Sequence, residues 1–368
     1  MIKKVKLETL CSLNSGGDAP KDFSYKKNTM YRYPIYGNAL ANEGLYGFSK
    51  EYKISLPSIT IASRGSNCGA IFLREEPYVP IVRLISITPS NDVVDLKYLY
   101  YLLSIFKFKS SGSGQPQITI PQLKEMMVSV NLDKNFQQKV GNILYTIDCQ
   151  IKRNNAMVQK LQVMSQAIFN RFFASENNFV SLVDFPYIQI LKPGIRIFEN
   201  AKHYIATAEV EGKKLNFDSP LIEYETRENR ANMQPIKNSV WFAKLKKSIK
   251  HIYVSEQDNY LINNYIFSTG FCGIKCEDIA FEYMINYLNL PYFENLKDIL
   301  SHGATQEGIN NEDLKSFKIN LPSKEILVKF HKETKEIHKH ISRINRNTYR
   351  LEVLKRKILP LLINQQLI

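Results

Sequence analysis

"SGSGQPQITIPQLKEMMVSVN", residues 111–131, begins as a Ser/Gly run and passes without transition into β-branched and apolar residues. A flexible linker does not end that way. The same change occurs in "SHGATQEGINNEDLKSFKINLP", residues 301–322, and a constant offset of 191 positions overlays the two without a gap. Gly112 then falls on Gly303, Gln115 on Gln306, Ile118 on Ile309, and Leu123-Lys124 on Leu314-Lys315. The chain carries one junction twice.

What flanks each junction repeats too. From Asp133 to Ala174 there is no proline and one glycine, Gly141. Phe136, Val140, Ile143, Ile147, Gln150, Asn154, Met157, Leu161, Met164 and Ile168 recur at alternating spacings of 4 and 3, the period of a helix packed along another helix. About 40 residues make roughly 60 Å of helix. The polar Gln150 and Asn154 interrupt the stripe and would set register and partner orientation. A second long helix is expected from about Lys324, with a seam of Phe330, Thr334, Ile337, Ile341, Ile344, Thr348, Leu351 and Ile358.

Before each junction stands a shorter helical stretch, "DLKYLYYLLSIF" from Asp95 and "DIAFEYMINYLN" from Asp278. Strand-like runs precede these: "SITIAS" and "VPIVRLISITP" in the first half, "SVWFAKL" and "KHIYVS" in the second. The reading is an α+β chain of two mixed domains, 1–132 and 177–322, each followed by a long helix, 133–176 and 323–368. Two apolar seams in one chain should bury each other. The helices are therefore expected to run antiparallel as struts between domains related by a pseudo-two-fold axis.

The 368 residues suffice for two or three domains, and 44% hydrophobic with 23% charged residues reads as globular. No apolar run reaches the roughly 18 residues of a membrane span, and no signal peptide is evident, so a cytoplasmic location is expected. Five cysteines fit a reducing compartment; Cys272 and Cys276 lack the second pair or the histidines of a zinc site and read as buried or incidental thiols. A net charge of +14 favours phosphate-rich partners, unless it reflects a generally Lys-rich proteome.

These residues resemble the specificity (S) subunits of type I restriction–modification systems. "YPIYGNALANEGLYGF" and "LPSITIASRGSNCGAIFLREEPYVP" are similar to the opening of their target recognition domains. "SGSGQPQITIPQLKEMMVSV" resembles the loop leading into the conserved helix, and "IDCQIKRNNAMVQKLQVMSQAIFNRFF" the helix itself. "QPIKNSVWFAKLKKSIKHIYV" looks like a second variety of recognition domain, although "SHGATQEGIN" lacks the proline and second glycine of the first loop. The resemblance implies a non-catalytic reader of double-stranded DNA, each domain reading half of an asymmetric split target. It implies helices that dock two methyltransferase subunits, restriction/translocase subunits in the full complex, and S-adenosylmethionine on the methyltransferase rather than on this chain. A related system with a fused methyltransferase–nuclease partner fits equally well.

In "SRGSNCG", Arg64 flanked by Ser63, Gly65, Ser66 and Asn67 suits a loop presenting a guanidinium to guanine or phosphate. Ser113, Gln115, Gln117 and Thr119 can reach bases or phosphates, and Gly112 and Gly114 permit close backbone approach to DNA or to the helix. In the second half, His302 and Gln306 hold the corresponding place. "KLKKSIKH" carries Lys244, Lys246, Lys247 and Lys250; read as a strand, it puts 244 and 246 on one face. Lys213, Lys214, Lys26, Lys27 and Arg32 are further phosphate candidates. Lysine and arginine would hold the backbone while loops and strand edges read the grooves. The helices would fix a short spacer, on the order of one DNA turn between half-site centres.

Two enzyme motifs fail on inspection. "NLPY", Asn289–Tyr292, has leucine where the Asn-Pro-Pro-Tyr signature of adenine methyltransferases has proline, and no glycine-rich cofactor loop follows a strand. Glu211-x-Lys213 is half of a nuclease-like carboxylate–lysine pair without convincing carboxylate partners. His331, His338 and His340 fall on the second long helix, where surface or partner contact is the expected role.

Overall fold

The abrupt end of the Ser/Gly run has a local cause. Thr119 is the N-cap of a short helix, Ile120–Lys124, and shares a capping box with Gln122, so its extended backbone is what opens the helix. The computed structural model describes residues 2–90, 92–106, 108, 117–174, 178–216, 218–303 and 307–364. Ser113, Gln115 and Gln306, with Gly112 and Gly114, lie outside the described residues.

The chain forms two units, Met1–Lys152 with Arg350–Ile368, and Arg153–Tyr349. The first holds β1 (Ile2–Lys6), β2 (Cys11–Ser15), β3 (Tyr33–Tyr36), β4 (Leu45–Ser49), β5 (Ser58–Ile61), β6 (Ile71–Arg74), β7 (Val79–Pro80) and β8 (Ile85–Pro89). There follow α1 (Leu96–Ser104), α2 (Ile120–Lys124), β9 (Met127–Asn131) and the start of α3 (Lys134–Phe173). One antiparallel sheet has the order β2-β8-β5-β6, a smaller one the order β4-β3-β7, and β1 pairs with β9 as a separate ribbon. Alternation sorts β5: Ile59 and Ile61 join Tyr98, Leu99 and Leu102 of α1 in the core. Its other face is polar yet buried and satisfied. Ser58 and Ser86 share the Tyr78 hydroxyl at 2.8 Å, and Arg74 Nε donates to Thr60 Oγ1 at 3.0 Å.

Asp95 caps α1, accepting from the Tyr98 N–H at 2.9 Å. Here α3 crosses: a Cβ on Gly141 would lie 2.9 Å from the Tyr98 nitrogen, which accounts for the one glycine in the long helix. Val140 and Leu144 of α3 complete this core, together with residues from the far end of the chain, Leu362 and Ile363.

The second unit repeats the plan. It holds the rest of α3, β10 (Phe179–Ser181), β11 (Ile188–Ile190), β12 (Lys202–Ile205), the hairpin β13 (Val210–Glu211) and β14 (Lys214–Leu215), and β15 (Leu221–Ile222). Next come β16 (Ala231–Met233), β17 (Ser239–Ala243), β18 (His251–Val254), α4 (Asn259–Asn264), β19 (Tyr265–Ser268) and β20 (Phe271–Cys276). The chain continues through α5 (Phe281–Leu288), α6 (Pro291–Leu300), β21 (Lys318–Asn320) and α7 (Lys324–Ile363). The sheet β11-β20-β17-β18 matches β2-β8-β5-β6 strand for strand, and the parallel pair β12·β19 matches β3·β7. The ribbon β10·β21 matches β1·β9. Even single bonds correspond: Leu7 N–H donates to the Met126 carbonyl and Leu182 N–H to that of Phe317, both at 2.8 Å.

Within each unit α3 and α7 run antiparallel. Lys355 Nζ meets Asp148 at 2.6 Å in the first. In the second, Asn154 Nδ2 donates to Thr348 Oγ1 at 3.0 Å, Ser165 Oγ pairs with His338 Nε2 at 2.8 Å, and Arg171 bonds Glu333. The expected seam of α7 holds, with Phe330, Thr334, Ile341 and Thr348 buried. That of α3 is half right. Val140, Ile147 and Asn154 are buried, but Ile143, Met157 and Met164 are about half exposed, and the buried column runs one residue later through Leu144 and Ser165. Leu144 packs into the core with α1, and Ser165 bonds Asn286 on α5, so the globular parts draw the helix round by one residue. His331 and His338 serve contacts within the chain and not the surface or partner contacts expected: His331 Nδ1 lies 2.7 Å from the buried Glu282, and burial, with the charge of Lys213, brings the His338 pKa down to about 4.

Candidate nucleic-acid interface

In the first unit, β5 leaves its sheet at Ile61 and runs into the turn Ser63–Gly69 before β6 returns. Ile118 N–H donates to the Ser63 carbonyl at 2.9 Å, and Arg64 forms an antiparallel bridge with Gln117. Two segments singled out separately in the sequence are therefore one surface. Asn38, which sequence reasoning missed, knits it together. Its Oδ1 accepts from Ser63 N–H at 3.1 Å, its Nδ2 donates to the Val82 carbonyl at 2.7 Å, and its carbonyl accepts from Asn67 Nδ2 at 3.2 Å. Ser63 is buried, with its hydroxyl donated to the Arg83 carbonyl at 2.7 Å, and Thr119 is held in its capping box. Both side chains serve the fold. Arg64 is half-buried and Ser66 exposed, at the rim. Lys26, Lys27 and Arg32 lie on a separate segment before β3; Lys27 pairs with Glu76 at 3.6 Å, and Arg32 sits 5.8 Å from the centre of the Tyr33 ring.

The second unit builds the same junction from different residues. Ile309 N–H donates to the Lys244 carbonyl at 3.0 Å, and Leu245 bridges Gly308. On the 191 offset, Gly308 and Ile309 are the counterparts of Gln117 and Ile118. The alternating strand expected for "KLKKSIKH" is absent. Strand β17 ends at Ala243, and a turn with Lys247 in the left-handed region (φ 55°) leads to β18. Lys246 pairs with Glu307, whose carboxyl it holds below the ordinary range, and Lys247 N–H donates to Asp298 at 2.8 Å. Lys250 Nζ donates to the Thr207 carbonyl at 2.7 Å. The β13–β14 hairpin, with exposed Lys213 and Lys214, joins this surface through Gly212, whose carbonyl accepts from His251 N–H at 2.8 Å. His302 is exposed, bonded both ways through its backbone to Gly308 and 3.7 Å from Asp313.

Charge is distributed unevenly. Helix α3 has six Lys and Arg against one Asp, and α7 eleven against four acids, so these 80 residues hold +12 of the +14. The globular parts are close to neutral. They carry lysine locally, at the second junction, while most of the positive charge lies on the helices.

The rejected enzyme motifs have structural roles. Asn289 closes α5, donating to the Ile285 carbonyl at 2.7 Å, and Pro291 opens α6. Glu211 faces Lys214 across the hairpin. Among the described residues no three His, Cys, Asp or Glu side chains cluster to hold a metal, and no helix is long and apolar enough to cross a membrane. Cys272 and Cys276 are buried on β20, and burial pushes the Cys272 thiol up to about 12.

Residues 2–162 match the family model of the type I restriction modification DNA specificity domain. The first half of the chain carries that specificity domain. The chain also aligns in part with proposed type I specificity subunits of Mycoplasma pneumoniae. S.MpnORF89P is 38% identical over 129 residues, covering 35% of this chain and 38% of that one. S.MpnORF507P is 37% identical over 123 residues, a third of each chain. The aligned stretches thus span little more than a third of those relatives. The fold as a whole is that of the type I S subunit crystal structure from M. genitalium, with a TM-score of 0.65 over 99% of this chain and 96% of that one at 14% identity. The resemblance read from the sequence holds.

Proposed function

We propose that the chain is the DNA sequence-recognition subunit of a type I restriction–modification complex and has no catalysis of its own. The duplicated junction supports this reading best. Each unit ties the end of a loop to the end of a sheet strand through the same hydrogen bond, yet presents different side chains there. Equivalent scaffolds with unlike tips suit an asymmetric bipartite target, one half per unit. Arg64, Ser66 and Gln117 would face one half-site. Lys244, Lys246, Lys247, Lys250, Lys213, Lys214 and His302 would face the other, largely through phosphates. In the second unit, the exposed Met157 and Met164 on α3, flanked by Arg153 and Lys160, are where a helix of a methyltransferase subunit would pack.

Comparing methylated positions in cells with and without this chain tests the reading. A single split motif should be modified only when the chain is present. Unchanged methylation would refute it.

A further inference from the structure

Lys297, on α6, is fully buried. Its ammonium donates to the Ser248 carbonyl at 2.8 Å and the Ala243 carbonyl at 3.3 Å and pairs with Glu294 at 2.6 Å. Glu294 in turn meets the buried His251 at 2.8 Å. Burial alone would raise the Glu294 carboxyl, but His251 and Lys297 bring it below its ordinary value. The next residue, Asp298, accepts from Lys247 N–H. One helix therefore grips the basic turn at Ala243, Lys247 and Ser248, around the residues that lean on Glu307 and Gly308.

Burying a lysine is costly, and an apolar residue of similar volume is generally as stabilising as a buried ion pair or more so. Stability is thus a poor reason for the charge. What Lys297 supplies, and methionine cannot, is a fixed point that two turn carbonyls must face. We infer that Lys297 is a positioning residue for DNA readout: it fixes the geometry in which the Lys244–Lys250 turn meets the second half-site. The inference rests on the DNA-reading function proposed above. The lysines of the turn would supply attraction without Lys297, but not register.

The test is selection from a random-sequence duplex pool by the full chain with its co-purifying subunits. The wild type should enrich a split motif. Lys297→Met should keep one half of that motif within twofold and flatten the other by about tenfold, the discrimination that one base contact supplies. Asp298→Ala, which removes only the acceptor for Lys247, should flatten the same half in a protein whose folding is barely touched. Enrichment of the full wild-type motif by both variants would overturn the inference, and so would equal weakening of both halves by Asp298→Ala. A wild-type pool without any motif would overturn the DNA-reading function itself.

Discussion

Ile118 donates its N–H to the Ser63 carbonyl at 2.9 Å, and 191 residues later Ile309 does the same to Lys244 at 3.0 Å. These bonds pin two loops to two strand ends, so each should matter to one half of a recognised site. Proline at either position removes the donor. Ile118→Pro is expected to blunt one half of the selected motif and Ile309→Pro the other, each costing about 1–3 kcal/mol of stability. Thermal unfolding together with pool selection checks both.

Lys247 and Lys214 are exposed on the second unit's surface and face phosphates in the proposed reading. Replacing either by alanine should weaken binding to every duplex alike. The slope of log affinity against log salt should fall by about 0.9 for each phosphate no longer neutralised. A change confined to one sequence would reassign the residue to base readout.

Asn154 and Thr348 bond each other where the two long helices meet in the second unit, and both are buried. Asn154→Val or Thr348→Val alone removes this bond, while the Thr348 hydroxyl also donates to the Ile344 carbonyl at 2.9 Å, and should cost about 0.5–1.5 kcal/mol. The double variant should recover part of the loss. Denaturant unfolding of all four proteins gives the coupling.

Gly273 lies across the sheet from Trp241, and a Cβ there would stand 2.4 Å from the indole ring. Because Trp241 is wholly buried, the ring has no room to retreat. Gly273→Ala should destabilise by about 1–3 kcal/mol, read as a lowered melting temperature.

His338 is held neutral by burial to about pH 4, whereas an unfolded histidine titrates near 6.5. Between those values the unfolded chain binds the extra proton, so stability should be full above about pH 6.5 and fall as pH drops towards 4. The loss should be on the order of 1–3 kcal/mol. His338→Asn should flatten that part of the pH–stability curve.

The long helices and the duplication were legible because each is written in many residues. A 40-residue stripe tolerates local ambiguity, and a fixed offset links distant segments. The register of α3 was not legible. Ile143 and Leu144, Met157 and Val158 are adjacent apolar pairs, and only contacts made far away in sequence choose between them. The lysine turn was misread for a related reason. Lys244 to Lys246 continue the alternation of a strand, and what ends it is α6, about 50 residues on. Asn38 gave no signal, since its three bonds go to backbone and side-chain groups scattered over residues 63–82.

The ribbons β1·β9 and β10·β21 have a wider bearing. Leu7 and Met126 stand one hydrogen bond apart, as do Leu182 and Phe317. Everything between those pairs enters and leaves its unit through a single doorway beside the long helices. Each intervening stretch is therefore a cassette. A foreign segment with the same two edge strands, and with the helix-facing residues of α1 or α5 kept, could be spliced in, giving a new tip on an old frame without redesigning either long helix.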